Sequence, residues 1–264
     1  MYLMDYHIHS NNSFDSEAFV KDVCEKAIEK GIKEICFTEH YSTKEAVKSH
    51  GFLKIKKYVE EIEECRATYK EKLEIRMGLE LCEPHEDEKG LSEFINSYPF
   101  DFILGSIHNF DGSTGLQTYS NSNTKDESYS RYFDEVDHVS ESPVVDIVAH
   151  MDLMKRYAFN KHGNYSLEEY SEKIEKVLKN IIARGKGIEV NTSSLRGIIG
   201  ETMPGNNILK MYYELGGRII TVGSDAHKVE DVGAGIIETY EVLKKIGFKS
   251  VYSFNKRKWK EISI

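Results

Sequence analysis

Four times along this chain a helical pattern ends at a glycine and an apolar strand follows: KGIKEICFTEH, RGKGIEVNTS, GGRIITVGSDAH and IGFKSVYSF. Gly31, Gly185, Gly217 and Gly247 stand where a left-handed residue can stop a helix. A turn of about two residues then leads into each strand. The segments ahead carry helical period. Leu167, Tyr170, Ile174, Val177, Leu178 and Ile181 share one stripe, and Ala18, Phe19, Val23, Ala27 and Ile28 share another. Further strands are predicted over Leu3–Ile8, Leu73–Leu79, Phe100–Ile107 and Val144–Ala149, with helices near Ile55–Tyr69, Asp126–Val139 and Val232–Lys244. Strand–helix alternation implies an α/β fold, a mainly parallel sheet with helices outside it. With seven or eight strands the sheet is expected to close into a barrel. A chain of 264 residues suits one such barrel, typically about 250 residues long. No Pro/Ser-rich linker divides it, so one domain is expected over residues 1–264. The stretch Asn109–Lys125, rich in Gly, Ser, Asn and Thr, reads as a long lid or binding loop or a disordered segment.

In a parallel barrel the carboxyl ends of all strands meet at one face, where active sites are built. The histidines and acids fall at those ends. His7 and His9 end the first strand, Glu39 and His40 the second, Glu80 the third, His108 the fourth, His150 and Asp152 the fifth and Asn191 the sixth; Asp225 and His227 follow the seventh. His7 and His9, two apart on a strand, point to the same side. Two imidazoles side by side on an apolar strand are costly unless a shared metal ion engages them. Imidazole with carboxylate suits zinc, iron or manganese. Asp152 reads either as a ligand or as a partner that orients one, and Asn191 as a strand-end cap. His50, His85, His138 and His162 fall in loops or on helix faces and read as hydrogen-bonded or surface residues.

Composition narrows the partners. The net charge is −9, from 44 acidic and 35 basic residues, with no block of like charge to explain it. Nucleic-acid binding needs a basic face, so nucleic acid is not expected as a partner. A small phosphorylated substrate stays open, because bound metal ions reverse the local sign. The opening MYLMDYHIHS has neither the basic nor the apolar region of a signal peptide. No apolar run approaches the roughly 18 residues of a membrane span. The expected location is cytoplasmic. Cys24, Cys36, Cys65 and Cys82 are widely spaced with no C-x-x-C, and are expected as buried, reduced thiols. There is no G-x-S-x-G elbow and no G-x-x-x-x-G-K-[ST] loop, so neither a serine nucleophile nor a P-loop is indicated.

At these residues the chain resembles the PHP (polymerase and histidinol phosphatase) family. D-x-H-x-H-S at Asp5–Ser10, then T-E-H, G-x-E, S-x-H, A-H-x-D and G-S-D-A-H follow in the family's order, from Asp5 to His227. Within the family the chain looks most like the stand-alone histidinol-phosphate phosphatases, on DYHIHSNNSFDS, GSIHNF, VAHMDLMKRY and EVNTSSLRG…ETMP. The segment GIIGETMPGNNIL after Arg196 departs from that pattern, which places a tyrosine before Pro204 and a serine after it. The resemblance implies a distorted (βα)7 barrel of PHP type carrying three divalent ions. It implies His7, His9, Glu80 and Asp225 on the first, Glu80 bridging to a second with His108 and His150, and Asp15, His40 and His227 on a third.

Two divalent ions about 3.5–4 Å apart lower the pKa of a shared water, and the hydroxide would attack phosphorus in line. The catalytic candidates are therefore Glu80, Asp225 and His227. The proton for the leaving alkoxide could come from Asp225, His227 or a metal-bound water. Arg156 and Arg196, after strand ends five and six, look like the family's phosphate-binding arginines. The implied activity is hydrolysis of L-histidinol phosphate in histidine biosynthesis. Another phosphoester (phosphotyrosine, a nucleotide or a nucleic-acid 3′ end) and a non-catalytic metal-binding scaffold are the alternatives.

Overall fold

The computed structural model describes residues 1–264. Apolar, β-branched runs form the strands and the amphipathic stripes form the helices. In chain order they are β1 (Met4–Ile8), α1 (Val20–Glu29), β2 (Glu34–Tyr41), α2 (Ile55–Tyr69), β3 (Glu74–Cys82), α3 (Glu88–Asn96) and β4 (Phe102–Ser106). Next come β5 (Asn109–Phe110), β6 (Thr114–Gly115), α4 (Leu116–Ser122), α5 (Lys125–Glu141), β7 (Ile147–Val148), α6 (Met154–His162) and α7 (Ser171–Ala183). The chain ends with β8 (Gly187–Asn191), α8 (Asn206–Glu214), β9 (Ile220–Gly223), α9 (Ile236–Ile246), β10 (Ser250–Asn255) and β11 (Lys258–Ser263).

Seven strands pair in the order β1-β2-β3-β4-β7-β8-β9, every pair parallel. The first and last strands meet only at their carboxyl ends. There the Asp225 N–H donates to the His7 carbonyl at 2.8 Å and the His9 N–H to the Ala226 carbonyl at 2.9 Å. The result is a nearly closed seven-stranded barrel whose seam is held by the backbone of His7, His9 and Asp225. Gly223 makes that approach possible. A β-carbon there would lie 2.3 Å from the His7 β-carbon and 2.7 Å from Glu189 Oε1. Asp5, fully buried, latches the same seam by accepting from the Ser224 N–H and hydroxyl and from the Gly233 N–H.

The helices pack outside, each by its apolar face. On α7 the buried positions are Ile174, Val177, Leu178 and Ile181, the spacing that puts side chains on one stripe. Leu167 and Tyr170 stand ahead of it in a separate 3-10 turn. Phe19 does not join the α1 stripe; it precedes the helix and is 59% exposed. At the third helix–strand junction the left-handed residue is Gly216 (φ 93°), not Gly217. Gly217 is needed for space, since a β-carbon there would strike the Tyr212 ring. A Thr124–Glu127 capping box starts α5.

Two larger expectations are corrected as well. The strand of IGFKSVYSF is not an eighth stave. It is β10, and it turns back antiparallel onto β11, which the sequence reading missed. This hairpin plugs the amino-terminal end of the barrel. Phe254 packs on Phe102 at 4.8 Å between ring centres, its N–H donates to Tyr6 Oη, and Arg257 pairs with Asp146 just ahead of β7. The stretch Asn109–Lys125 is not a structureless loop: it folds into the β5–β6 turn, α4 and the start of α5. All four cysteines are free and buried, as expected. No helix is long and apolar enough to cross a membrane.

Candidate metal centre

Every strand end brings its polar residue to one mouth, and the side chains converge there. Glu80, buried on β3, is the hub. Its Oε2 lies 3.2 Å from His7 Nε2, 3.4 Å from His9 Nε2 and 3.1 Å from His40 Nδ1. Its Oε1 lies 2.8 Å from His150 Nε2 and 3.3 Å from His108 Nε2. Asp225 Oδ1 completes the first group at 3.6 Å from His7 Nε2 and 3.5 Å from His9 Nε2. Asp15 Oδ2 joins His40 Nε2 at 3.3 Å and His227 Nε2 at 3.4 Å. The strand ends placed eight of these residues at one mouth and the resemblance added Asp15, and the fold brings all nine together. His9 also stacks on His40 and on His227, 4.3 Å between ring centres in each case, so its group and the Asp15 group adjoin.

The hydrogen bonds behind the imidazoles decide which nitrogens face the centre. His7 Nδ1 is 2.5 Å from Glu189 Oε1, so that nitrogen carries a proton and Nε2 is the one that offers a lone pair when the ring is neutral. The Ser13 hydroxyl gives its one proton to Glu39 Oε2 at 2.5 Å. It must therefore accept from the His40 N–H and from His9 Nδ1, at 3.0 and 3.1 Å. His227 Nδ1 donates to the Asp225 carbonyl at 3.1 Å. The consequence is sharp at His7 and His9. Their Nε2 atoms stand 3.0 Å apart, so two neutral rings would set lone pair against lone pair there, a repulsion that a proton on His7 or a bound metal ion relieves. Imidazole nitrogens with carboxylate oxygens are the donor set of zinc, iron and manganese sites, so these residues fit divalent ions.

The electrostatics agree. Burial opposes charge on Glu80, but His7, His40 and His108 outweigh it and hold the carboxyl well below the usual range. Burial also opposes charge on His7, which Glu189, Glu80 and Asp225 outweigh, raising it well above an ordinary histidine. His9 goes the other way: burial, with His227 and His40 as like charges, lowers it to about 4. Burial raises Glu39 to about 7 against the hydroxyls of Ser10 and Ser13. Asp225 sits at φ 52°, a left-handed backbone unusual outside glycine, of the kind found at functional sites.

Several participants were not singled out from the sequence. Glu189, on β8, is buried and holds two strand ends at once: Oε1 takes His7, and Oε2 accepts the His150 N–H at 2.9 Å. Its signal was present, a glutamate two residues before Asn191 and therefore on the same face. Cys82 has the same relation to Glu80, and its Sγ is 3.4 Å from His108 Nδ1. Asn191 is more than a cap, since its Nδ2 reaches Asp225 Oδ2 at 3.3 Å. Asp152 stays out of the cluster. It takes the buried Lys155 ammonium at 2.9 Å, the Tyr165 hydroxyl at 3.0 Å and the Gly205 N–H at 3.2 Å, and so anchors the segment around Met203.

A cavity of about 580 Å³ opens onto the cluster. Phe14, Val47, Leu153 and Tyr157 give it apolar wall, and Arg156 stands at its edge beside Asp225 and Ser193. A volume and lining of this kind suit a small ligand. Arg196 lines the adjoining depression with Arg156 and His227, and is tied to the Ser224 carbonyl at 2.9 Å and to Asp231 at 3.4 Å.

The PHP domain family model matches residues 5–193. A protein of Clostridium acetobutylicum described as a probable histidinol-phosphatase is 32% identical, over 97% of this chain and 98% of its own. One of Thermotoga maritima, with the same description, is 30% identical over 94% of each. The crystal structure of histidinol phosphate phosphatase from Lactococcus lactis, complexed with zinc, L-histidinol and phosphate, superposes with a TM-score of 0.90 at 28% identity, covering 98% of both chains.

Proposed function

Because this chain belongs to the PHP domain family, we propose that it is a metal-dependent phosphomonoesterase that hydrolyses L-histidinol phosphate to L-histidinol and phosphate. The observation that carries the reading is Glu80. One buried carboxylate presents Oε2 to His7 and His9 and Oε1 to His108 and His150, the placement of a ligand shared by two ions. The Lactococcus lactis relative, similar over the whole chain, was crystallised with zinc and both reaction products.

In this reading His7, His9, Glu80 and Asp225 would hold one ion, Glu80, His108 and His150 a second, and Asp15, His40 and His227 a third. Zinc, iron and manganese all suit these donors. Such ions supply Lewis acidity toward phosphoryl oxygens and a lowered pKa for water. The chain's own residues do the rest. Glu189, Ser13 and Glu39 fix the tautomers of His7 and His9, so their Nε2 atoms present lone pairs. Arg156 offers its guanidinium fork to the phosphoryl oxygens at the cavity edge. Asp225 Oδ2, which faces Ser193 and Arg156 rather than the imidazoles, is ionised, and would take the proton released by the attacking water and pass it on to the leaving alkoxide. Phe14, Leu153 and Tyr157 offer apolar wall to the carbon skeleton of the substrate.

The test is phosphate release by metal-reconstituted protein from histidinol phosphate, phosphotyrosine, the p-nitrophenyl ester of dTMP and an oligonucleotide. Histidinol phosphate is expected to lead in kcat/KM by about 100-fold or more. Faster turnover of another ester, or no turnover of any, overturns the reading.

A further inference from the structure

Away from the barrel mouth, three more metal-competent side chains meet. His85 lies in the turn Pro84–Glu86 after β3, and Glu135 and His138 lie one turn apart on α5. Glu135 Oε2 stands between the two rings, 3.1 Å from His85 Nε2 and 3.7 Å from His138 Nδ1, and the ring centres are 5.5 Å apart. The three donor atoms lie within 4.8 Å of one another, and a small rotation of the exposed His138 ring closes them to the roughly 3.4 Å that ligands of one tetrahedral ion take.

The carboxylate is preset. Glu135 Oε1 faces Arg131 at 3.6 Å, and Arg131 is itself held by a two-pronged contact with Asp111 at 2.6 and 3.0 Å. Oε2 is therefore turned toward the imidazoles. A helical Glu-x-x-His pair met by one histidine from a facing segment is a compact way to give a metal three ligands.

We propose that His85, Glu135 and His138 form a second divalent-metal site, selective for zinc-class ions and separate from the barrel-mouth cluster. Two imidazoles and one carboxylate select such ions over magnesium or calcium, which take oxygen ligands. His138 is more than half exposed, so the fourth position is open to water. His85 Nδ1 is buried without a protein partner. The site thus lacks the acceptor that usually orients a ligating imidazole, a difference worth about 10- to 100-fold in affinity, and it fills after the mouth. Its place gives it a structural effect. The turn carrying His85 follows directly on Glu83, whose carboxylate accepts the His108 N–H at 2.6 Å and the Asn109 N–H at 2.8 Å. An ion here ties α5 to the segment that holds His108.

The experiment is calorimetric titration of zinc into protein whose mouth is already loaded and freed of excess metal, alongside His138→Ala and His85→Ala treated identically. Because the His138 side chain is largely in solvent, its truncation leaves the fold intact. The expected result is one further zinc equivalent in the parent and none in either variant. Elemental analysis of the loaded proteins before titration should give equal metal content. No further equivalent in the parent, or one retained in His138→Ala, overturns the proposal. Neither result depends on phosphatase activity, so the site stands or falls independently of the function proposed above.

Discussion

Glu189 offers the sharpest perturbation, because its two oxygens serve two strand ends. Oε1 accepts from His7 Nδ1 at 2.5 Å, and Oε2 accepts the His150 N–H at 2.9 Å. In Glu189→Gln one acceptor becomes an NH₂ group. Whichever way the amide turns, a donor then faces a donor, at His7 or at the His150 backbone. The neighbours offer no escape, since Asn191 Nδ2 also donates toward Oε2, at 3.4 Å. Losing one charge-assisted hydrogen bond in a buried site costs about 1.5–3 kcal/mol. Spent on ligand orientation, that is about 10- to 100-fold in metal affinity. The assay is competition for zinc between the metal-stripped protein and a chromophoric chelator, with circular dichroism confirming that the variant is folded. A folded Glu189→Gln protein whose zinc affinity stays within about twofold of the parent would refute the orienting role.

Other consequences can be checked in the same way. Glu80→Gln should lose metal and turnover while the fold survives; near-normal rates at reduced metal content would contradict a shared ligand. Gly223→Ala drives a β-carbon against His7 and Glu189, so thermal unfolding should show a loss of about 1–3 kcal/mol, and an unchanged melting temperature would count against the packed seam. Arg156→Ala should raise KM for phosphate esters about 10-fold or more with metal content unchanged. Arg196→Ala should raise KM less, since Arg196 is tied to Ser224 and Asp231 beside the cavity; equal effects would place both guanidiniums on the phosphate. Burial lowers His7, His40 and His108, yet neighbouring carboxylates outweigh it and raise all three, so the metal-stripped cluster holds protons near neutral pH. Metal binding needs the neutral imidazole, so uptake should release protons and tighten as pH rises. Calorimetry in buffers of different ionisation heat reads this, and no buffer dependence would contradict it.

Much of the barrel and its mouth could be read from the chain, for a definite reason. Parallel strands bury both faces, so each writes itself as an apolar run, and a histidine or acid at its carboxyl end stands out against that background. Eight ligand candidates stand at such ends, the ninth, Asp15, rests on the family resemblance, and the fold gathers all nine. What escaped was set by contacts between distant segments. Glu189 looks like any strand glutamate until β1 is placed beside β9 and His7 comes within reach of it. Ser13 matters because its single proton goes to Glu39, a constraint no spacing displays. The strand at Ser250–Asn255 has the same helix–glycine–strand signature as the barrel staves. Only its pairing with β11, and the burial of Phe254 against Tyr6 and Phe102, reveal a plug. Asn109–Lys125 has loop composition, and tertiary contacts override it: Phe110 packs edge-on against Tyr119 at 4.6 Å, with Arg131 over both rings.

The most direct test is diffraction from crystals of the zinc-reconstituted protein, recorded on both sides of the zinc absorption edge. Anomalous peaks are expected within coordinating reach of His7, His9 and Asp225, of His108 and His150, and of Asp15, His40 and His227, with a Glu80 oxygen on each of the first two. Crystals from metal-saturated protein with no anomalous density among these residues would contradict the metal centre and the phosphatase chemistry that depends on it.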